Sequence, residues 1–364
     1  MERDDRDRSR ARDRQERRVR VRRRRLALAA AIIVPLLLIV AFRAAFARDA
    51  ASPRATATAS PTAALSATTT PSSAPSSAAP EEEAFVPAYD RNFKADLVDR
   101  LETPPELVVF GGSRAQRFEP SYIRRLTGLS AFNFALHNGK VEDAYAVSSY
   151  LFSEEPDLEL RCFFAVQVGN FGDAPLHPGL LWDPRLSRWF PEELLQEQRE
   201  IVGKPKRGGM SSDSRYSDRG CLLHNSYDER VARGVSLDAI LNVYIERILP
   251  KASAPGASQT RSRRYFKKLL KLYNDHGVTP AIVVMPYHPV PLAAFRAAGW
   301  QAKNDRLLTY LRGLQDTYDL RVLDYTEIES FGGRPEYFYD GSHVTRENAR
   351  LILEQAFRDA PECF

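Results

Sequence analysis

The sequence predicts an α/β domain with a doubly wound, flavodoxin-like parallel sheet over residues 85–364. Two patterns support this prediction. Short runs of strand length are apolar throughout, and they alternate with segments in which apolar residues recur at helical spacing. Strands that are apolar on both faces are typical of a parallel sheet covered by helices on both sides. A segment of roughly 280 residues is large enough for one such domain.

Five strands and five helices follow from these patterns. The predicted strands cover residues 106–111, 131–136, 161–168, 280–286 and 320–325. The predicted helices cover residues 120–126, 141–152, 261–276, 303–318 and 345–357. The alternation breaks at residues 171–259, and a structureless loop of that length is rare in a compact domain. Because this segment contains two more helical patterns, we expect a helical insertion over the edge of the sheet.

The N-terminal segments have the composition of a membrane anchor. Residues 1–25 contain 13 Arg and 6 acidic residues, which predicts a basic cytoplasmic tail. Residues 26–46 begin with 17 residues without a charge, enough for a single transmembrane helix whose arginine-rich flank faces the cytoplasm. The alternative is a cleaved signal peptide, with residues 45–47 as the cleavage site. In both cases residues 85–364 lie outside the cytoplasm.

Residues 47–84 are predicted to be a disordered linker. They consist largely of Ala, Ser, Thr and Pro, so they cannot bury enough apolar surface to fold. The formal net charge of the whole chain is +5, and the basic tail accounts for all of it. A domain without an excess of positive charge is not expected to bind nucleic acid.

The three cysteines, Cys162, Cys221 and Cys363, are too few for a disulfide scaffold and lack metal-binding spacing. Cys162 lies in an apolar strand, which predicts a buried thiol. Outside the cytoplasm a Cys221–Cys363 disulfide remains open. No spacing of His, Asp and Glu resembles a metal site, so neither a metal nor a cofactor is expected.

Polar residues follow the predicted strands at the point where ligands bind in open α/β sheets. Ser113 follows the first strand, Gly139 the second and Asn170 the third, while Asp340 and His343 lie between the fifth strand and the last helix. Serine needs a base to become a nucleophile, and His343, oriented by Asp340, is the candidate base. The amides of Ser113 and Gly139 and the side chain of Asn170 are candidate donors to an oxyanion.

Each of these features also has a non-catalytic interpretation. A Gly-Gly-Ser sequence after a strand is often only a turn, Asn170 alone is typical of a capping residue, and Asp-x-x-His is frequent where a helix begins. His288 follows the fourth strand and is a weaker candidate for lining the substrate pocket. The basic segment 261–268 predicts a solvated helix face, with an anionic polymer as the alternative partner.

Taken together, four motifs resemble those of the SGNH hydrolases, also called GDSL-like hydrolases. FGGSR contains Ser113, HNGK contains Gly139, VGN contains Asn170, and DGSH contains Asp340 and His343. The resemblance covers residues 106–360 except for the insertion. Two positions differ from the family pattern, because Gly replaces the Asp before the serine and Val stands two residues before the asparagine.

The resemblance implies ester hydrolysis or acyl transfer through an acyl-serine, without a cofactor. It is closest to membrane-anchored members that act on cell-surface polymers, which implies a carbohydrate polymer of the cell envelope as substrate. A membrane acyltransferase is compatible with this as a partner. The family also contains inactive members, so the alternative is a polysaccharide-binding or assembly scaffold built on the same fold.

Overall fold

The computed structural model describes residues 89–203, 214–253 and 258–364. The predicted cytoplasmic tail, transmembrane helix and linker, residues 1–84, lie outside these residues. Residues 85–88, at the predicted start of the domain, lie outside them as well. Within the described ranges, none of the helices is both long and apolar enough to cross a membrane.

A parallel sheet of five strands forms the centre of the domain. The described residues contain strands β1 (Leu107–Gly111), β2 (Ala131–Asn133), β3 (Arg161–Val166), β4 (Arg215–Tyr216), β5 (Leu222–His224), β6 (Ala281–Val284) and β7 (Arg321–Asp324). The central sheet has the order β2-β1-β3-β6-β7, and all its neighbouring strands are parallel. Strands β4 and β5 form a separate antiparallel hairpin. The predicted α/β class with a parallel sheet is confirmed.

Both faces of this sheet are buried. Along β1, Val108 and Phe110 face one apolar core, whereas Leu107 and Val109 face another. This alternation follows from the two-residue period of a strand, whose successive side chains point to opposite faces. A strand buried on both faces has no position for an exposed polar side chain, which explains the uninterrupted apolar runs in the sequence.

Helices cover the two faces. The described helices are α1 (Asp90–Asp99), α2 (Pro120–Thr127), α3 (Val141–Glu154), α4 (Pro178–Leu181), α5 (Pro184–Ser187), α6 (Glu192–Val202), α7 (Ser226–Ala232), α8 (Leu237–Ser253), α9 (Thr260–Asp275), α10 (Pro289–Ala297), α11 (Gln301–Gly313) and α12 (Arg346–Asp359). Helices α3, α9 and α11 contribute to the core that contains Phe110. Helices α2 and α12 contribute to the core that contains Val109. The five predicted helices are therefore present, although α11 ends earlier than expected.

The segment between β3 and α9 contains α4 to α8 and the β4–β5 hairpin. Its hairpin lies along β2, the edge strand, because the Asn133 amide donates to the Arg219 carbonyl over 2.9 Å. The Leu222 amide likewise donates to the Gln116 carbonyl over 2.8 Å. An edge strand otherwise exposes unpaired backbone groups, so the segment covers that edge as an insertion would.

The Cys221–Cys363 disulfide that the sequence left open is not formed, because all three cysteines are free thiols. Cys363 packs against Ala281 and Ala360, whereas Cys221 lines a surface cavity near Ser217. Two thiols held in separate packing environments cannot meet the short separation that a disulfide requires. Cys162 is buried in β3 as predicted, and burial raises the pKa of its thiol.

Candidate active site

Ser113 lies at the carboxyl end of β1 and begins a short 3₁₀ turn, Ser113–Ala115. Its Oγ lies 2.8 Å from Nε2 of His343, although 230 positions separate the two residues. Both side chains are partly exposed, so the hydroxyl is within reach of a ligand. This distance is the one required for a base to remove the serine proton.

Asp340 holds the opposite side of the histidine ring. Nδ1 of His343 lies 2.9 Å from each carboxylate oxygen of Asp340. The hydrogen on Nδ1 is therefore shared with the carboxylate, which leaves the Nε2 lone pair directed at Ser113. We call these three side chains the catalytic line.

The ionised form of Asp340 is strongly favoured. Burial alone would raise the pKa of this carboxyl group, but the charge and hydrogen bond of His343 outweigh it and the pKa is lowered. The backbone amides of Ser342 and His343 add to this effect, because they donate to Oδ1 over 2.8 and 2.9 Å. The carboxylate is thus fixed by its own loop before any ligand binds.

The insertion packs against the catalytic line. Tyr227 of α7 lies over His343, with its hydroxyl 3.2 Å from Nδ1 and ring centroids 4.8 Å apart. Burial and the charge of Asp340 raise the pKa of the Tyr227 phenol, so it stays neutral. Asp228, the next residue, pairs with Arg117 and accepts a hydrogen bond from the Tyr339 hydroxyl over 2.8 Å. The insertion therefore links the turn after Ser113 to the loop before His343.

Helix α8 supports the same loop. A Cβ atom on Gly341 would lie 2.3 Å from the Tyr244 ring, so only glycine fits at that position. Sequence reasoning missed Tyr227, Asp228 and Tyr244. They lie far from the motifs along the chain, and no spacing within the insertion indicates which of its side chains turn toward the loop.

Gly139 and Asn170 lie together on the other side of Ser113, and we call this pair the oxyanion side. Nδ2 of Asn170 donates to the Gly139 carbonyl over 2.6 Å, and its Oδ1 accepts from the Gln167 amide over 2.7 Å. A Cβ atom on Gly112 would lie 3.6 Å from Nδ2 of Asn170, which places this amide beside the residue that precedes the serine.

The three candidate oxyanion donors differ in whether their hydrogens already form hydrogen bonds within the protein. The Gly139 amide donates to the Leu136 carbonyl over 3.1 Å, so it is already engaged. Asn170 uses one of its two Nδ2 hydrogens, and the second remains for a ligand. The Ser113 amide meets no acceptor among the described residues. A Cβ atom on Gly139 would lie 2.2 Å from the Gly111 carbonyl oxygen, so this glycine permits a close approach of two backbones.

A buried ion pair lies beneath the oxyanion side. The guanidinium of Arg91, on α1, binds both oxygens of Asp143 over 2.8 Å. It also donates to the His137 carbonyl over 3.3 Å, and Asp143 accepts from the Lys140 amide over 2.9 Å. The loop that carries Gly139 is therefore held at both ends by one buried pair, which sequence reasoning also missed.

His288 is buried, with 5% of its surface exposed. Its Nδ1 accepts from the Val290 amide over 3.2 Å, and its own amide donates to the Gly341 carbonyl over 3.1 Å. These contacts cap α10 and support the loop between Asp340 and His343. The role in lining the pocket remains a prediction.

In the described ranges, no group of three or more His, Cys, Asp and Glu side chains is arranged to hold a metal ion. No protein-family model matches the sequence, and no curated protein is significantly similar to it.

Proposed function

We propose that the protein is a serine esterase or O-acyltransferase that forms an acyl-serine at Ser113. The observation that carries the proposal is the continuous line of hydrogen bonds from Ser113 through His343 to Asp340, with distances of 2.8 and 2.9 Å. This arrangement of hydroxyl, imidazole and carboxylate activates serine in many unrelated hydrolases.

In the proposed reaction, Oγ of Ser113 attacks the ester carbonyl carbon while Nε2 of His343 takes the hydroxyl proton. The tetrahedral intermediate collapses when His343 returns that proton to the leaving alcohol oxygen, which breaks the ester bond and leaves an acyl group on Ser113. Water or an acceptor hydroxyl then gives its proton to His343 and attacks the acyl carbon. This second step releases the acid or the new ester and restores the serine hydroxyl.

Charge on the carbonyl oxygen requires donors that are already in place. The free Ser113 amide and the second Nδ2 hydrogen of Asn170 are suited to this role. A contribution from the Gly139 amide requires that it leave or share the Leu136 carbonyl. The proposed reaction uses only these side chains and backbone amides and requires no cofactor.

We further propose that the domain is of the SGNH hydrolase type and is anchored on the outer face of the cell membrane. The strand order supports this assignment, because renumbering the five parallel strands along the chain gives 2-1-3-4-5, the flavodoxin-like order. The apolar segment 26–46 and the basic residues before it support the anchor. Acyl esters of a cell-envelope carbohydrate are the substrate class that fits this placement.

The decisive experiment is labelling with a fluorophosphonate probe, which reacts with activated serines. We expect the detergent-solubilised full chain to be labelled, and the Ser113→Ala variant to be unlabelled. Ser121→Ala is the matched control, because this exposed serine on α2 lies outside the site and its loss should leave labelling unchanged. On a small acetyl ester, wild type and Ser121→Ala should be equally active, and Ser113→Ala should be inactive.

A folded wild-type chain that is neither labelled nor active would overturn the proposal. In that case the domain is better explained as a scaffold that binds polysaccharide or an assembly partner. Labelling with turnover only when a glycan hydroxyl acceptor is added would instead identify the enzyme as a transferase.

A further inference from the structure

A second cleft of about 400 Å³ adjoins the turn that carries Asn170. Val168, two residues before Asn170, forms part of its wall. The remaining lining comes from the first turns of α9 and from α11, namely Gln259, Thr260, Arg263, Lys303, Arg306 and Leu307. Three of these residues are cations, and no Asp or Glu of the described residues is among them.

These three cations differ from Arg261 and Arg312, which lie on the same helices. Arg261 pairs with Glu142 over 2.8 Å, and Arg312 lies 3.9 Å from Asp324. In contrast, Arg263 donates only to neutral groups, with Nε 3.1 Å from Oε1 of Gln259. The three cleft cations form no ion pair with any described carboxylate, whereas Arg261 and Arg312 each lie within 4 Å of one.

Lys303 and Arg306 are three positions apart on α11, so their side chains lie on the same face. Lys303 donates to the Lys251 carbonyl over 3.2 Å, which satisfies a hydrogen bond but supplies no negative charge. Burial and the neighbouring Arg306 charge lower the pKa of Lys303. Like charges collected in a cleft raise its positive potential, and an anion that enters would relieve this repulsion.

We propose that this cleft binds a carboxylate or phosphate group of an anionic glycan, on the same polymer whose ester reaches Ser113. Two guanidinium groups and one ammonium are suited to either acid group. The amides of Arg261 and Ser262 at the start of α9 already donate to the Asp173 carboxylate, so the three cationic side chains supply the charge of the site. The position of Val168 beside Asn170 places the acidic group next to the oxyanion side.

This inference rests on the proposed function, but its test does not require turnover. The Ser113→Ala full chain is titrated with an oligogalacturonate, a glycerol phosphate oligomer and a neutral xylo-oligosaccharide, and binding is measured by calorimetry. We expect one or both anionic oligomers to bind more tightly than the neutral one. Binding should weaken as salt increases, because mobile ions screen charges in an open cleft.

The charge-removal variant is Arg263→Gln, Lys303→Gln and Arg306→Gln combined, and we expect it to weaken binding of the anionic oligomer by roughly tenfold or more. The matched control is Lys267→Gln, Lys271→Gln and Arg312→Gln, which removes the same charge from the same two helices outside the cleft. The control should bind as the parent does. If the triple variant does not fold, the single variant Arg306→Gln replaces it in the binding test, because Arg306 is exposed and its loss should not affect folding.

Equal loss in both triple variants, or no binding of either anionic oligomer by a folded parent, would overturn the inference. The oligomer that binds more tightly identifies the acid group. Binding is measured on the Ser113→Ala chain, so it does not depend on catalysis. Absence of binding would therefore not contradict the labelling result, and absence of labelling would not affect the binding measurement.

Discussion

The two sides of the candidate site differ in how far they are assembled before a ligand arrives. In the catalytic line, Ser113, His343 and Asp340 already point at one another over hydrogen-bonding distances. On the oxyanion side, Gly139 and Asn170 donate to protein carbonyls, and one Asn170 hydrogen remains for a ligand. The proton-transfer groups are therefore complete in the free protein, whereas the charge-stabilising groups depend on one free amide and one remaining hydrogen.

The two sides also rest on different parts of the chain. The insertion supports the catalytic line through Tyr227 and Asp228. Helix α1 supports the oxyanion side through the buried side chains of Arg91 and Lys94. Changes in one support should therefore leave the geometry of the other side in place. Three substitutions test the catalytic line, the oxyanion side and the α1 support in turn.

The largest effect is expected from Asp340→Asn. Asparagine keeps an oxygen that accepts the amides of Ser342 and His343, so the loop should fold. Its NH₂ group cannot accept the Nδ1 hydrogen, and it favours the tautomer in which Nε2 no longer accepts the serine proton. We expect kcat on a small acetyl ester to fall by about 10⁴-fold, as in other catalytic triads.

Asp316→Asn is the control for this substitution, because Asp316 is exposed and far from the loop. It should leave kcat unchanged. If Asp340→Asn lowered kcat less than about tenfold in a folded sample, the carboxylate would not be needed to orient the base, and the catalytic line would lose its third member.

A smaller loss is expected from Asn170→Ala. Removal of one oxyanion donor typically lowers kcat by about 10²- to 10³-fold. Since the donor acts on charge that develops in the transition state, KM should change little. The variant also leaves the Gln167 amide and the Gly139 carbonyl without partners, which costs about 1–3 kcal/mol of stability for the buried carbonyl and less for the half-buried amide.

Asn348→Ala separates these two effects. Asn348 is equally buried and its side chain makes three hydrogen bonds to the backbone of Arg334 and Tyr337, away from Ser113. It should lose stability and keep kcat. The same loss of kcat in both variants would show that Asn170 acts through folding rather than on the oxyanion.

The strands and the motif residues were predictable for a simple physical reason. A strand buried on both faces must be apolar throughout, and parallel strands bring their carboxyl ends to one edge. Helix α1 was not predicted, because Asp90, Arg91 and Lys94 are buried through polar partners and leave no apolar period in the sequence. The position of Tyr227 over His343 depends on how the insertion folds back, which no local pattern specifies.

The smallest effect concerns the α1 support and depends on pH. Lys94 is fully buried, and its Nζ donates to the carbonyls of Asn133 and Ala135 over 2.9 and 2.7 Å. Burial outweighs the opposing charge of Asp90 and lowers the lysine pKa from 10.5 to about 7. Between pH 7 and 9 the folded protein has therefore lost a proton that the unfolded chain retains. Stability should rise with pH over this range, by at most about 1.4 kcal/mol per pH unit.

The pKa of Asp340 is also lowered, but this shift acts in a different pH window. Its lowered pKa contributes stability that is fully present above the normal carboxyl pKa and is lost only as the solution becomes more acidic. The pH 7 to 9 range therefore separates the lysine from Asp340. The difference between wild type and Lys94→Met in the free energy of unfolding in urea measures the lysine, because other groups that titrate in this range, such as the buried Cys162 thiol, contribute equally to both proteins. In Lys94→Met this rise should be absent, whereas the exposed-site control Lys267→Met should retain it. Parallel pH profiles for wild type and Lys94→Met would show that Lys94 stays protonated at pH 9, held by its two carbonyl partners, and that α1 supports the oxyanion side with a permanent charge.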